Sequence, residues 1–213
     1  EGNTALKVEN GILYNADMSE IYIIPAGITT FAFSANMTSE SLIDVLTDIE
    51  TLESVTVAAE NTAFKAKFGA LYDAEWNLLF VPKAMTTFTI PVEVTQLGGE
   101  STASGLFEDT AVTTIIAEEG EGEAFTIEGY TSWYSGESVF DGANITSVTL
   151  PDRTTKIGNF AFYYMESITE FNIGNAVITY IGDYAFKYCY GIKSFEVTES
   201  VTYVGDSPFQ YWG

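Results

Sequence analysis

The sequence predicts a β-dominated α/β solenoid of about seven coils, with two inserted β-hairpins and one short α-helix. Three observations lead there. First, three segments near the C-terminus superimpose: Ile145-Thr-Ser-Val148-Thr-Leu150, Ile168-Thr-Glu-Phe171-Asn-Ile173 and Ile192-Lys-Ser-Phe195-Glu-Val197, each apolar at positions one, four and six. Second, each is joined to a matching block, Lys156 to Phe162, Tyr180 to Phe186 and Tyr203 to Phe209, so the unit recurs every 23 to 24 residues. Third, the one-four-six spacing returns upstream at Val112/Ile115/Ala117, Met85/Phe88/Ile90, Leu52/Val55/Val57 and Ile28/Phe31/Phe33, with some steps lengthened to 27 and 33 residues. A constant unit with longer steps is a coil carrying insertions. A unit this small cannot bury its own apolar side, so the coils must stack.

Taken from the N-terminus, residues 1–27 are expected to form a hairpin that caps the open end of the stack. Gly11-Ile-Leu-Tyr14-Asn15-Ala-Asp17 supplies one strand and a polar turn, and Ile21 to Ile24 returns. After the first coil strand, Leu42, Val45, Leu46 and Ile49 recur at helical spacing. Ser41 and Asp44 stand as in a capping box, so a helix is expected as the outer wall of that coil. A second hairpin is predicted within residues 64–82, because Gly69-Ala-Leu-Tyr72-Asp73-Ala-Glu75 nearly copies the first motif 58 residues on. Residues 118–140 read as an acidic and aromatic insert, and 145–213 as regular repeats. Together they are expected to make one solenoid domain over 1–213.

Side chains alternate along a strand, so positions four and six face the core while three and five face out. The outward set includes Thr56, Thr87, Thr89, Thr114, Ile116, Ser147, Thr149, Glu170, Asn172 and Glu196, a mostly hydroxylic face and the candidate binding surface. In the second block, Ile157, Ile181 and Val204 are expected to point inward. The glycine after each permits a tight bend, including positive φ, and Phe162, Phe186 and Phe209 fill the core. Tyr164, Tyr188 and Tyr211 each stand two residues beyond a closing phenylalanine and form a row along one edge, either a packing ladder or a binding stripe. In the insert, Trp133 and Tyr134 are a second candidate contact for sugar or protein, or else a plug that seats the insert on its coil.

The segment from Ile168 to Tyr190, ITEFNIGNAVITYIGDYAFKYCY, resembles the BspA-like leucine-rich repeat of bacterial surface proteins. That repeat has an L-x-x-I-x-I-P strand, a V-x-x-I-G turn and an A-F-x-x-C closing block. The likeness is close from Ile145 to the C-terminus and looser from Leu52 to Asp109. Pro208 replaces the alanine before Phe209, and Met165 and Trp212 stand where the family prefers the cysteine that Cys189 keeps. The resemblance implies a right-handed leucine-rich-repeat superhelix, a place at the bacterial cell surface, secreted or anchored, and a binding or adhesive role. It also implies that G-x-L-Y hairpins are inserts between coils.

Charge and composition exclude several functions. The formal net charge of -22 repels phosphate backbones and anionic lipid, so no nucleic-acid partner is expected. The absence of histidine removes the commonest general base and metal ligand. One cysteine leaves no internal disulfide, and Cys189 reads as a small buried hydrophobe. No phosphate-binding glycine motif and no C-x-x-C is present, so neither enzymatic activity nor a cofactor is expected. The longest uncharged stretch, Ile21 to Ser39, contains Pro25, Gly27 and Asn36 and is no membrane span. Glu118, Glu119, Glu121, Glu123 and Glu128 lack the spacing of a calcium loop. They read as a solvated loop, with a cation or a basic partner as the alternative. Beginning at Glu1, without an initiator methionine or a signal peptide, the chain reads as a processed or trimmed piece. Three function classes remain, in order of preference: a surface module that binds an extracellular protein or glycan, a structural spacer, and an enzyme or inhibitor.

Overall fold

The computed structural model describes residues 4–99, 102–131, 136–194 and 198–212. The chain begins in a three-stranded antiparallel meander, β1 (Leu6–Glu9), β2 (Ile12–Asn15) and β3 (Ile21–Ile23). Asn10 and Gly11 join the first two strands with φ of 51° and 81°, the doubly left-handed turn that matches strand twist. Next come β4 (Thr30–Phe33), a single helical turn α1 (Ser41–Asp44), and β5 (Ser54–Val57), which pairs parallel to β4.

The predicted helix is shorter than its spacing implied. Leu42 and Leu46 reach the core, but Val45 faces solvent, and the chain turns away after one turn. So short a helix lasts only where packing holds it. Its cap residue is Glu40, without a side-chain cap bond, and the Ser41 hydroxyl meets that of Ser39 at 2.8 Å instead of closing a box with Asp44.

A second meander follows: β6 (Phe64–Lys67), β7 (Ala70–Asp73) and β8 (Leu78–Phe80). Each expected hairpin is thus one strand larger than the sequence motif, because β1 and β6 lie ahead of the glycine that marks it. The two meanders also differ in setting. Ile12 and Tyr14 of β2 are buried on one side, whereas Ala70, Leu71 and Tyr72 of β7 are buried in succession, so both faces of this sheet are covered. Leu71 belongs to a core with Phe31, Phe33 and Leu46. Ala70 and Tyr72 belong to a second core with Phe88, Phe107 and Ile115.

The remaining strands build two walls. One wall holds β9 (Thr87–Ile90), β11 (Thr114–Ala117), β15 (Ser147–Thr149) and β17 (Glu170–Asn172), all parallel. The facing wall holds β10 (Gln96–Leu97), β12 (Phe125–Ile127), β16 (Thr154–Ile157), β18 (Tyr180–Ile181) and β19 (Tyr203–Val204), also parallel. A small ribbon, β13 (Tyr130–Thr131) with β14 (Gly136–Glu137), leaves the second wall. The register Phe88, Ile115, Val148, Phe171 reproduces position four of successive repeats. Of the seventh strand, Phe195, Glu196 and Val197 lie outside the described residues.

Between the walls runs a file of phenylalanines: Phe107, Phe140, Phe162, Phe186 and Phe209, with ring centroids 5.0 to 5.9 Å apart. Full burial of one such ring is worth roughly 1.5–3 kcal/mol. Phe107 and Phe140 show that the coils at 85 and 112 close like the regular ones. The lengthened steps come from the loops around them, and β12 makes part of the supposed insert a wall strand. Two expectations need correction. Val204 is 51% exposed where Ile157 and Ile181 are fully buried, because β19 is the edge strand of its wall among the described residues. The glycines after these residues are not at positive φ. A Cβ on Gly182 would lie 2.5 Å from the Asn159 amide, and one on Gly205 would lie 2.2 Å from Asp183 Oδ1, so glycine is needed there for coil-to-coil approach. The left-handed residues come later in the turn.

Candidate functional site

Eight of the candidate residues share one sheet face. Thr87, Thr114, Ser147 and Glu170 lie side by side across four strands, and the Ser147 hydroxyl donates to Glu170 Oε2 at 3.1 Å. Two residues further along, Thr89 pairs with Ile116 and Thr149 with Asn172. Thr87, Glu170, Asn172 and Ile116 are exposed, the last by 38%, while Thr89, Thr114, Ser147 and Thr149 are half-buried. Thr56 is also exposed but is set apart from them. The tip of the second meander occupies the slot beside β5, where the Val55 amide donates to the Gly69 carbonyl at 2.9 Å.

That tip adds a residue the spacing did not reveal. Phe68 is 47% exposed and joins Thr87, Thr86, Met85, Ala84 and Glu53 around a shallow depression at the edge of the face. Its φ is 52°, in a turn whose sister copy carries Asn10. A left-handed conformation costs a bulky side chain about 1–2 kcal/mol, so a phenylalanine here is not chosen for the turn. The signal was in the sequence, as Phe68-Gly69 in place of Asn10-Gly11.

Beside Phe68, Lys67 Nζ is 2.8 Å from Glu93 and 2.6 Å from Glu118. Glu118 also accepts the Val92 amide at 2.9 Å. Partial burial pushes the Glu118 carboxyl up, but the hydrogen bonds from Lys67 and Val92 and the Lys67 and Arg153 charges outweigh it and hold it below its ordinary value. At the other end of the acidic run, Glu128 pairs with Lys156 at 2.9 Å. Glu119, Glu121 and Glu123 are exposed. Among the described residues, no group of three or more His, Cys, Asp or Glu is placed to hold a metal ion. Tyr130 anchors the ribbon by donating to the carbonyls of Thr102 and Ala103, and burial pushes its hydroxyl up to about 12. Trp133 and Tyr134 lie outside the described residues.

The third feature is the edge formed by the turns that close the coils. Tyr164, Tyr188 and Tyr211 stack with centroids 4.3 and 5.1 Å apart, and Tyr164 and Tyr211 are 51% and 57% exposed. All three have φ between 57° and 67°; the equivalent residues of the two preceding turns are Asp109 and Gly142. Lys187 Nζ lies 4.8 Å from the Tyr184 ring centre and 5.1 Å from that of Tyr188. Behind this edge Cys189 is fully buried, and its Sγ donates to the Phe162 carbonyl at 3.0 Å. Burial pushes its thiol up to about 12, the opposite of what a nucleophile needs.

Residues 125–212 match the model of the BspA type leucine rich repeat region, in six copies. No curated protein matches the chain. Three solved structures are similar to it. A pneumococcal vaccine antigen, PcpA, is 15% identical over 78% of this chain and 38% of its own, with a TM-score of 0.46. A leucine-rich repeat protein from Eubacterium ventriosum is 16% identical over 86% of this chain and 59% of its own, with a TM-score of 0.34. A leucine rich cell surface protein from Faecalibacterium prausnitzii is 18% identical over 83% of this chain and 37% of its own, with a TM-score of 0.39. The chain thus spans between 37% and 59% of the length of these three.

Proposed function

We propose, from the premise that residues 125–212 are BspA-type leucine-rich repeats, that this chain is a non-catalytic binding module of a bacterial surface protein. It grips an extracellular protein or glycan with the sheet face around Phe68. The observation that carries this reading is the exposed ring of Phe68, held at positive φ beside Thr87 on a mostly hydroxylic face. Binding energy concentrates in a few aromatic anchors surrounded by weaker contacts, and Phe68 with the threonines around it has that arrangement. Threonine and serine hydroxyls both donate and accept, which suits a neutral glycan or an extended backbone better than an ion. The surface location rests on the family resemblance. The non-catalytic reading is supported by a sequence without histidine and by a buried thiol.

The test is an array of glycans and extracellular proteins, followed by variants against whatever binds. Thr89→Arg, Thr114→Arg and Thr149→Arg should each block binding without lowering Tm. Phe68→Asn should weaken it by about tenfold or more, with Tm unchanged or raised, since asparagine already holds this conformation in the sister turn. Affinity should change little between low and physiological salt. A blank array would favour a spacer with no ligand of its own.

A further inference from the structure

The closing turns line up in five rungs along one edge of the molecule, each set by a phenylalanine of the central file. Each rung shows two outward residues: Glu108 and Asp109, Asp141 and Gly142, Tyr163 and Tyr164, Lys187 and Tyr188, Gln210 and Tyr211. The first two rungs are in direct contact, since a Cβ on Gly142 would lie 2.9 Å from Glu108 Cγ. The edge therefore runs from carboxylates into phenols. Glu108, Asp109 and Asp141 are exposed, and none makes an ion pair among the described residues.

The left-handed position of each rung makes the tyrosines informative. The same backbone conformation is filled by aspartate in the first rung and glycine in the second, residues that accept it readily. Tyrosine takes it three times running, against its steric preference. The hydrophobic core does not require this. Tyr164 and Tyr211 are exposed, and the rings behind them that fill the core are Phe162 and Phe209.

We propose that this edge is a docking strip for an extended polypeptide carrying arginine side chains. Three observations select that partner. First, the strip already holds a cation against its rings, Lys187 over Tyr184 and Tyr188. A planar guanidinium stacks on tyrosine better than an ammonium does, and pairs with carboxylate through two parallel hydrogen bonds. Second, the charge is complementary. The chain carries 30 acidic against 8 basic side chains. All eight basic groups are engaged by carboxylates, carbonyl oxygens, rings or a thioether of the chain itself. A basic partner therefore meets net attraction, and a second copy of this chain meets repulsion. Third, the ring stack disfavours a neutral glycan. A sugar chain needs a run of open aromatic faces, yet Tyr188 is flanked by Tyr164 at 4.3 Å and Tyr211 at 5.1 Å, so the inner ring offers no open face and a guanidinium is received on the end ring Tyr211, which is 57% exposed. Four steps of 5.0 to 5.9 Å separate the five rungs. About six or seven residues of extended chain, at ~3.3 Å each, would cover them.

The experiment is fluorescence anisotropy of the whole chain with labelled (Arg-Ser)4, (Lys-Ser)4 and (Glu-Ser)4 peptides, with a β-linked glucose hexasaccharide as competitor. The arginine peptide should bind several-fold more tightly than the lysine peptide, the glutamate peptide should not bind, and the sugar should not compete. Tyr164→Gly/Tyr188→Gly/Tyr211→Gly should weaken the arginine peptide about tenfold or more. Glu108→Gln/Asp141→Asn should weaken it several-fold and flatten its salt dependence. Thermal melts establish that the variants fold. Should the triple variant not fold, the single Tyr211→Gly on the last rung and the carboxylate pair carry the same test. The idea is overturned by equal affinity for arginine and lysine peptides, by a folded tyrosine variant that binds as the parent does, or by competition from the sugar. The sheet-face substitutions Thr114→Arg and Phe68→Asn should leave this binding intact, so the two sites fail or stand separately.

Discussion

Among the described residues, eleven other than glycine hold a positive φ, and seven of them are aromatic: Phe68, Trp76, Phe160, Tyr164, Tyr184, Tyr188 and Tyr211. Single left-handed residues are ordinarily glycine, asparagine or aspartate. Here the repeating coil fixes the backbone, and the side chain is placed on it whatever the local cost. The opposite choice is seen at Cys189, a side chain that suits its site in every respect. It is small, enclosed, and donates to the neighbouring coil. With its thiol pushed up to about 12, labelling by a thiol reagent at pH 8 should be at least ~10³-fold slower in the native protein than in the unfolded chain. A labelling rate near that of the unfolded chain would mean that the last coils open freely.

At the scale of the coil, position in the stack sets the energetics. Phe186 is enclosed, with parallel rings at 5.3 Å on one side and 5.6 Å on the other. Phe209 is half-buried and has Trp212 at 4.9 Å as its outer neighbour. Phe186→Ala should cost about 3–5 kcal/mol and Phe209→Ala roughly half that, read from urea melts. Equal losses would show that a further layer covers the end of the stack in solution. The strands, their register and the inward residues were legible because two-residue alternation is a strong signal wherever one face is buried, and Ile145, Val148 and Leu150 show it fully. The helix forms where the spacing puts it but stops after one turn, because Leu42 and Leu46 satisfy both a helix and a tight turn. The binding candidates were only half legible. Thr87 to Glu170 followed from alternation, but Phe68 depends on where a hairpin tip comes to rest, which no local pattern states. The closing phenylalanines Phe107 and Phe140 were hidden by the irregular loops around them.

For the whole molecule, 30 carboxylates and 8 basic groups on 213 residues set the response to solution conditions. Self-repulsion at a formal charge of -22 should be screened by salt, so Tm at pH 7 should rise by a few degrees between about 10 and 300 mM NaCl. That gain should shrink near pH 4–5 as the carboxylates neutralise. Below about pH 4 the sign reverses. Asp17 is held low by the Ser19 hydroxyl and amide, Asp152 by the Asn175 side chain and amide, and Glu118 by Lys67 and Val92 against its partial burial. A depressed carboxylate stabilises the fold above its unfolded pKa, and that contribution is lost as pH falls through the folded value. Calorimetric scans across pH and salt would show both limbs. A Tm indifferent to salt at pH 7 would mean that the charges are too widely spaced to matter. The sheet of β6, β7 and β8 has a consequence of another kind. With Leu71 on one side and Ala70 and Tyr72 on the other, it gives each half of the chain its own interior. A side chain trimmed in the first interior should leave the buried cluster of the second largely as it is. The N-terminal half can therefore drift in sequence, or be exchanged for another of its kind, while the repeats beyond it keep the packing they have.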